Sequence, residues 1–400
     1  MFSSLRRRCF SVLRSAHRPI RKSVPVALYN VDEFSPPKAL IVHLPSQPDS
    51  PNGVRQLPEF LYDRPVASIN YRWATERPRA ASQDDDHLDD SVDWPVPIHD
   101  VAFAYRWIAD ALKPPAIGRG GIYVYGSHLG AGLAMSLSLT ESHPHKRFAV
   151  RGVAAYNGVY NWTMFLPGHK VRGAKSPRDA LRALRRENGN LRLDALGDRL
   201  VALFQEPHNL FDPFASPSLF FHNPGLAIPE SFYASPALAS LVSAMKGQHD
   251  VSEEEETLGA SRRSHLAFPP RASTLKIPET LLLHDAPSKS PLHHHHHHPD
   301  DHRHDCRTKR DSTTKSRSGV VDTRHTFMAQ AAEMASFMRR SIGMVELKER
   351  ARWDEDAHKM AREPERRVRV VEVGQEGEEL GLNDAGQQAV LDWLGSLNIR

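Results

Sequence analysis

Apolar residues along this chain recur in two periods, and the two periods alternate. Residues 38–45 (KALIVHLP) and 66–73 (VASINYRW) are short runs of strand character, the first closed by a proline that turns the chain into a loop. Residues 98–112 place Val101, Ala104, Tyr105, Ile108 and Leu112 on one helical face. Residues 122–125 (IYVY) form a buried type of strand. It runs through Gly126-Ser127-His128-Leu129-Gly130 into a helix of small residues over 131–141. Residues 150–156 are the next strand. Strands that alternate with helices predict an α/β fold, with a mostly parallel sheet and helices on both faces.

After Trp162 the pattern weakens. Helices are expected around 177–187 and 236–245, among many prolines and an acidic run at 253–256. The stretch 163–271 therefore reads as a helical and loop cap inserted into the sheet domain. Strand character returns at 277–284 (IPETLLLH). A low-complexity, disordered insertion is expected over 286–322, and a helix over 323–355 with Phe327, Ala331, Met334, Ala335, Met338 and Ile342 on one face. Residues 368–373 (VRVVEV) form the last strand and 383–397 an amphipathic helix. One domain over 35–400, preceded by a separate segment over 1–34, accounts for this order.

Charge changes the picture at the front of the chain. The 400 residues carry 52 Lys and Arg against 48 Asp and Glu, a formal net charge of +4. Seven of the basic residues fall within 1–31, which holds no acid. The rest of the chain is slightly acidic, so the charge gives no support to a nucleic-acid-binding surface. The leading segment is rich in Arg and Ser and lacks the apolar core of a secretory signal, the composition of a mitochondrial presequence. Arg8-Cys9-Phe10 before Ser11 also fits a cut with Arg three residues upstream. Mitochondrial localisation is the expectation, with the cytoplasm as the alternative. Only Cys9 and Cys306 are present, which excludes a disulfide scaffold and a cysteine zinc site. No apolar run of about 18 residues exists, so no transmembrane segment is expected.

The most informative spot is the Gly126–Gly130 turn between a strand and a helix. With Gly126, Ser127-His128-Leu129-Gly130, Leu139-Thr140-Glu141, the Asp212-to-Pro217 run DPFASP and Ile98-His99-Asp100, the chain resembles the α/β-hydrolase fold. More narrowly, it resembles fungal α/β-hydrolase-fold proteins of unassigned function with a degenerate nucleophile elbow. The resemblance covers 35–400 apart from the insertions. It implies Gly-x-Ser-x-Gly at the elbow, an acid after the strand at 281–284 and a histidine after the last strand. The glycine frame puts His128 at the nucleophile position and Ser127 one place early. Asp285 stands at the acid position. No histidine follows the last strand: 374–379 reads GQEGEE, and His325 and His358 lie before it. The oxyanion loop is His43-Leu44-Pro45-Ser46 rather than a glycine-rich stretch, and Pro45 has no N–H to donate.

A triad acts as a unit, so these departures point to a pseudoenzyme: a hydrolase-like protein that binds a small-molecule ligand or a protein partner without turnover. The alternative is an active carboxylic-ester hydrolase using Ser127 off-frame or His128 itself, with Asp285 and His325 forced into triad roles. The candidate catalytic residues are accordingly His128, Ser127 and Asp285. No cofactor is expected. The poly-histidine tract at 293–298, with His302, His304 and Cys306, has the ligand chemistry for zinc, nickel or copper, but a homopolymer shows no spaced ligand set. It reads as a loop expansion, and no metal site is assigned.

Overall fold

Alternation along the strands decides which face each side chain takes, and here both faces are apolar. Leu40, Val42 and Leu44 enter one core cluster while Ile41, between them, enters the other. A sheet buried on both faces needs helices on both, as the alternating pattern predicts. The computed structural model of the chain describes residues 7–13, 23–31, 39–47, 57–73, 93–113, 120–166, 191–223, 268–286, 326–354, 360–377 and 380–397.

Among these residues eight strands form one sheet: β1 (Arg7–Leu13), β2 (Ser23–Tyr29), β3 (Leu40–Leu44), β4 (Val66–Ile69), β5 (Gly120–Ser127), β6 (Phe148–Tyr156), β7 (Glu279–Ala286) and β8 (Val368–Gln375). Their order is β1-β2-β4-β3-β5-β6-β7-β8. The β1–β2 and β2–β4 pairs are antiparallel and the rest are parallel. Helices α1 (Val96–Ala111), α2 (Leu129–Glu141) and α5 (Phe327–Ser341) cover one face. Between α2 and α5 lie the short α3 (Leu191–Asp198) and α4 (Leu200–Phe204), and α6 (Glu363–Arg367) precedes β8. Helix α7 (Asp384–Ser396) covers the other face with Val390, Trp393 and Leu394.

Most strands run where the apolar pattern puts them. The sheet also reaches back into the basic leading segment, where no strand is expected from composition. β2 buries Val24, Val26 and Leu28 in the core, and β1 pairs along its outer edge. The helix expected over 323–355 starts at Phe327, because the Thr326 hydroxyl accepts the Ala329 N–H at 3.0 Å and caps it. The expected helices at 177–187 and 236–245, the acidic run at 253–256 and the low-complexity stretch fall outside the described residues.

Residues 191–223 dock through aromatic and polar contacts. The Trp73 indole donates to the Leu203 carbonyl at 2.7 Å and the Trp94 indole to Asp212 at 2.8 Å. Phe204 packs edge-on against Trp73 at 5.5 Å and Trp162 at 5.0 Å. Asp212 thus serves as an anchor, which accounts for its place in the DPFASP run. Asp100 is likewise structural. It is fully buried and held by Arg72 through Nε at 2.8 Å and Nη2 at 2.7 Å.

Candidate functional site

Strand β5 turns into α2 through one residue. His128 has φ 49° and ψ −114°, a region that costs a side chain of order 1–3 kcal/mol. The strain is imposed by the crossing. A Cβ on Gly126 would sit 2.5 Å from the Gly130 carbonyl oxygen, and one on Gly130 would sit 2.3 Å from that of Pro45. The helix can pass this close to β3 and β5 only over glycine, so the residue between must take the sharp bend. The glycine frame read from the sequence is the frame of the backbone. With the strained elbow after β5 in a mostly parallel sheet covered on both faces, the architecture is settled. This is the α/β-hydrolase fold.

Solved structures similar in fold include carboxyl esterase 2 of the mycorrhizal fungus Tuber melanosporum, at 12% identity and TM-score 0.47 over 100% of this chain and 86% of that one. A thermophilic and thermostable carboxylesterase cloned from a metagenomic library matches at 17% identity and TM-score 0.35, over 54% of this chain and 64% of that one. A hormone-sensitive lipase from a metagenome library matches at 13% identity and TM-score 0.36, over 80% and 69%. No family model matches the chain, and no curated protein matches it.

Within the hydrolase fold, the elbow of this chain has particular surroundings. His128 is 3% exposed. Its ring meets Tyr156 edge-on at 5.4 Å and Phe327 at 6.0 Å. Its backbone N–H donates to the Tyr156 carbonyl at 2.8 Å. The N–H after the elbow residue is the usual oxyanion donor of this fold. Here that group, on Leu129, donates to the Ser46 carbonyl at 3.3 Å. Ser46 lies two residues after β3, so the carbonyl that receives the Leu129 N–H comes from the start of the segment that follows this strand.

Ser127 is the last residue of β5 and sits opposite Tyr156 in the ladder. Strand alternation places its side chain on the Tyr125 face, away from α2. Among the described residues no histidine nitrogen hydrogen-bonds its hydroxyl. His325 lies outside the described residues, as does the histidine tract. Elsewhere, among the described residues, no group of three or more His, Cys, Asp or Glu is placed to hold a metal ion.

Asp285 lies near the end of β7 and is 1% exposed. Its carboxylate accepts the Tyr156 hydroxyl and the Asn157 amide, each at 2.8 Å, and its N–H donates to the Asn157 side-chain oxygen at 2.9 Å. Burial, and then the Asp285 charge and hydrogen bond, push the Tyr156 phenol well above its ordinary range, so it remains a donor. Tyr156 therefore stands between His128 and Asp285, its ring against one and its hydroxyl on the other. Asn157 adopts φ 48°, a conformation asparagine tolerates, and its N–H donates to Leu283 at 2.9 Å.

The loop after β8, where the resemblance implies a histidine, holds Glu376 and Gly377. Glu376 accepts the Arg192 N–H at 3.0 Å, and the Gly377 carbonyl accepts the Arg192 guanidinium at 2.6 Å. Two further histidines lie in the sheet. Burial pushes His43 down to about 3, and its Nδ1 lies 3.0 Å from the Ser68 hydroxyl. Burial also lowers His284, against the opposing pull of Asp285 and Glu372. Sequence reasoning names the elbow, the acid and the loop of Ser46, and Phe327 only as a helix-face residue; it does not name Tyr156 or Asn157. Of these two, Asn157, an asparagine straight after a strand, carries a signal, as a residue suited to left-handed backbone.

Proposed function

We propose that this chain is a hydrolase-fold protein with a degenerate triad, acting by binding a small ligand or a partner rather than by turning over an ester. The observation that carries the reading is the occupation of the elbow's working groups by the protein itself. His128 fills the nucleophile position, Leu129 N–H is given to Ser46, and the Asp285 carboxylate is given to Tyr156 and Asn157. A serine nucleophile needs a base in hydrogen-bond reach, and an oxyanion needs free donors. The similar solved structures described as esterases and a lipase keep the esterase reading as the competitor.

The test uses the full chain with a serine-directed fluorophosphonate and short p-nitrophenyl esters. Neither labelling nor saturable hydrolysis above buffer is expected. Labelling of Ser127 that disappears in Ser127→Ala would overturn the reading and favour an off-frame esterase. We also propose mitochondrial import on the acid-free composition of residues 1–31. Fusion of residues 1–35 to a fluorescent reporter should bring it to mitochondria, and a cytosolic reporter would refute import.

A further inference from the structure

The helix that begins at Phe327 changes pitch at its far end. α5 runs into a π-helical segment, Ile342–Leu347, and then a last α turn, Lys348–Arg350. A π segment adds residues to the turn, rotates the side chains that follow and recurs at functional sites. Here it borders a groove of about 270 Å³ between the helix and residues 268–271.

The floor of the groove is aromatic and preset by its own packing. Phe221 stacks on Phe337 with centroids 6.3 Å apart and planes 8° apart, and meets Phe268 edge-on at 5.2 Å. The Ser341 hydroxyl donates to the Phe268 carbonyl and ties the two walls together. Met344, 57% exposed, extends the apolar lining.

The rim is cationic. Arg271, Arg340, Lys348 and Arg352 line the groove with one carboxylate, Glu349. None of the four cations forms an ion pair with a described residue, whereas the nearby Arg350, Arg366 and Arg367 are each paired with Asp or Glu. Four like charges around one aromatic concavity, with Glu349 the single carboxylate among its described lining residues, repel one another, and a bound anion relieves that repulsion. A second cavity of about 550 Å³ shares Arg271, Val345 and Glu349 with the groove and continues past Trp353, giving room for a longer body.

We propose that this groove binds an amphiphilic phosphate monoester. The phosphate dianion sits among the three guanidiniums and the lysine, and the apolar body lies on the phenylalanine floor. A dianion offsets more of the cationic rim than a carboxylate does, and guanidiniums match phosphate oxygens in pairs. The groove is built from residues separate from the elbow, so the inference stands whether or not the elbow turns over esters.

Calorimetric titration of the full chain with octyl phosphate, octanol and inorganic phosphate tests it. Octyl phosphate should bind one to one, with octanol and inorganic phosphate each weaker by about tenfold or more, because each lacks one half of the contacts. The double variant Arg340→Gln, Arg352→Gln, both at exposed positions, should lose at least about tenfold while keeping the wild-type melting curve. Phosphatidate in phosphatidylcholine vesicles identifies the source. Sedimentation with these vesicles, lost in the double variant, assigns a membrane lipid headgroup, and failure to sediment alongside octyl phosphate binding assigns a soluble amphiphile. Failure of octyl phosphate to saturate, equal binding of inorganic phosphate, or indifference to the double variant would each overturn the proposal.

Discussion

His43 ends up as a neutral base inside the sheet, and that has a measurable cost in acid. It is 4% exposed on β3, stacked on Tyr125 with centroids 5.8 Å apart and 3.0 Å from the Ser68 hydroxyl. Burial disfavours the imidazolium, so the folded value falls from 6.5 to about 3. The sign follows from linkage: the unfolded chain takes up a proton below pH 6.5 that the folded chain refuses. The stability of the neutral imidazole is therefore whole above pH 6.5 and is lost as pH falls toward 3, at about 1.4 kcal/mol per pH unit. Between pH 7 and pH 4 that amounts to about 3 kcal/mol from this residue.

The perturbation that isolates it is His43→Gln, which keeps an amide for Ser68 and cannot titrate. Lost stacking on Tyr125 lowers the variant by a constant offset, and His284 titrates in both proteins and cancels. Urea unfolding at pH 7, 6, 5 and 4 should show the wild type losing about 3 kcal/mol more than the variant across the range. Parallel curves would falsify the assignment of a buried neutral imidazole at this site.

Three further outcomes follow from other contacts. Asn157→Ala removes one donor from the buried Asp285 carboxylate and the acceptor of its N–H, and should cost about 2–4 kcal/mol in urea unfolding; a loss below about 0.5 kcal/mol would refute the role given to Asn157. Gly130→Ala forces a Cβ to 2.3 Å and 2.4 Å from the Pro45 and Leu44 carbonyl oxygens, so the variant should be insoluble or melt many degrees lower; a wild-type melting temperature would contradict the crossing geometry. Burial raises the Glu333 carboxyl, against an opposing hydrogen bond from Asn161. Its contribution is whole in acid and declines as pH rises, so Glu333→Gln should be the more stable protein at pH 8, with the gap closing by pH 4, and a pH-independent gap in thermal melts would refute the buried charge.

What was legible in the sequence was what repeats. β3, β5, β6 and β7 announce themselves as apolar runs because both of their faces are buried, the edge strand β8 as an apolar run only partly buried, and the helices by their spacing. β2 does not: its alternation of Val24, Val26 and Leu28 follows directly on a basic stretch, and composition outweighed period there. The candidate site was legible at its glycines, its acid and the loop after β3. Ser46 acts through a backbone carbonyl, which every residue has. Tyr156 and Phe327 reach His128 from β6 and from the start of a helix far along the chain, and no local pattern marks such a meeting. Asp285 could be placed by its strand, but its partners could not.

The glycines of the elbow are set by packing and do not depend on which residue stands between them. Gly126 and Gly130 are required by distances between β5, α2 and the β3 loop, all of them backbone-to-backbone. Those distances are unchanged by the side chain at 128, and the strain at φ 49° is borne by whichever residue stands there. Packing alone therefore requires the turn. The catalytic groups face a different constraint, since a buried carboxylate or N–H left without a partner costs stability. Asp285 is satisfied by Tyr156 with Asn157, and the Leu129 N–H is satisfied by Ser46. On the proposed reading, each of these contacts both stabilises the fold and takes up a group that an ester would need. Restoring serine at 128 alone would thus leave the oxyanion donor occupied and the acid engaged, so His128→Ser should remain without measurable hydrolysis of p-nitrophenyl butyrate, and a saturable rate in that single variant would show that the site had stayed open.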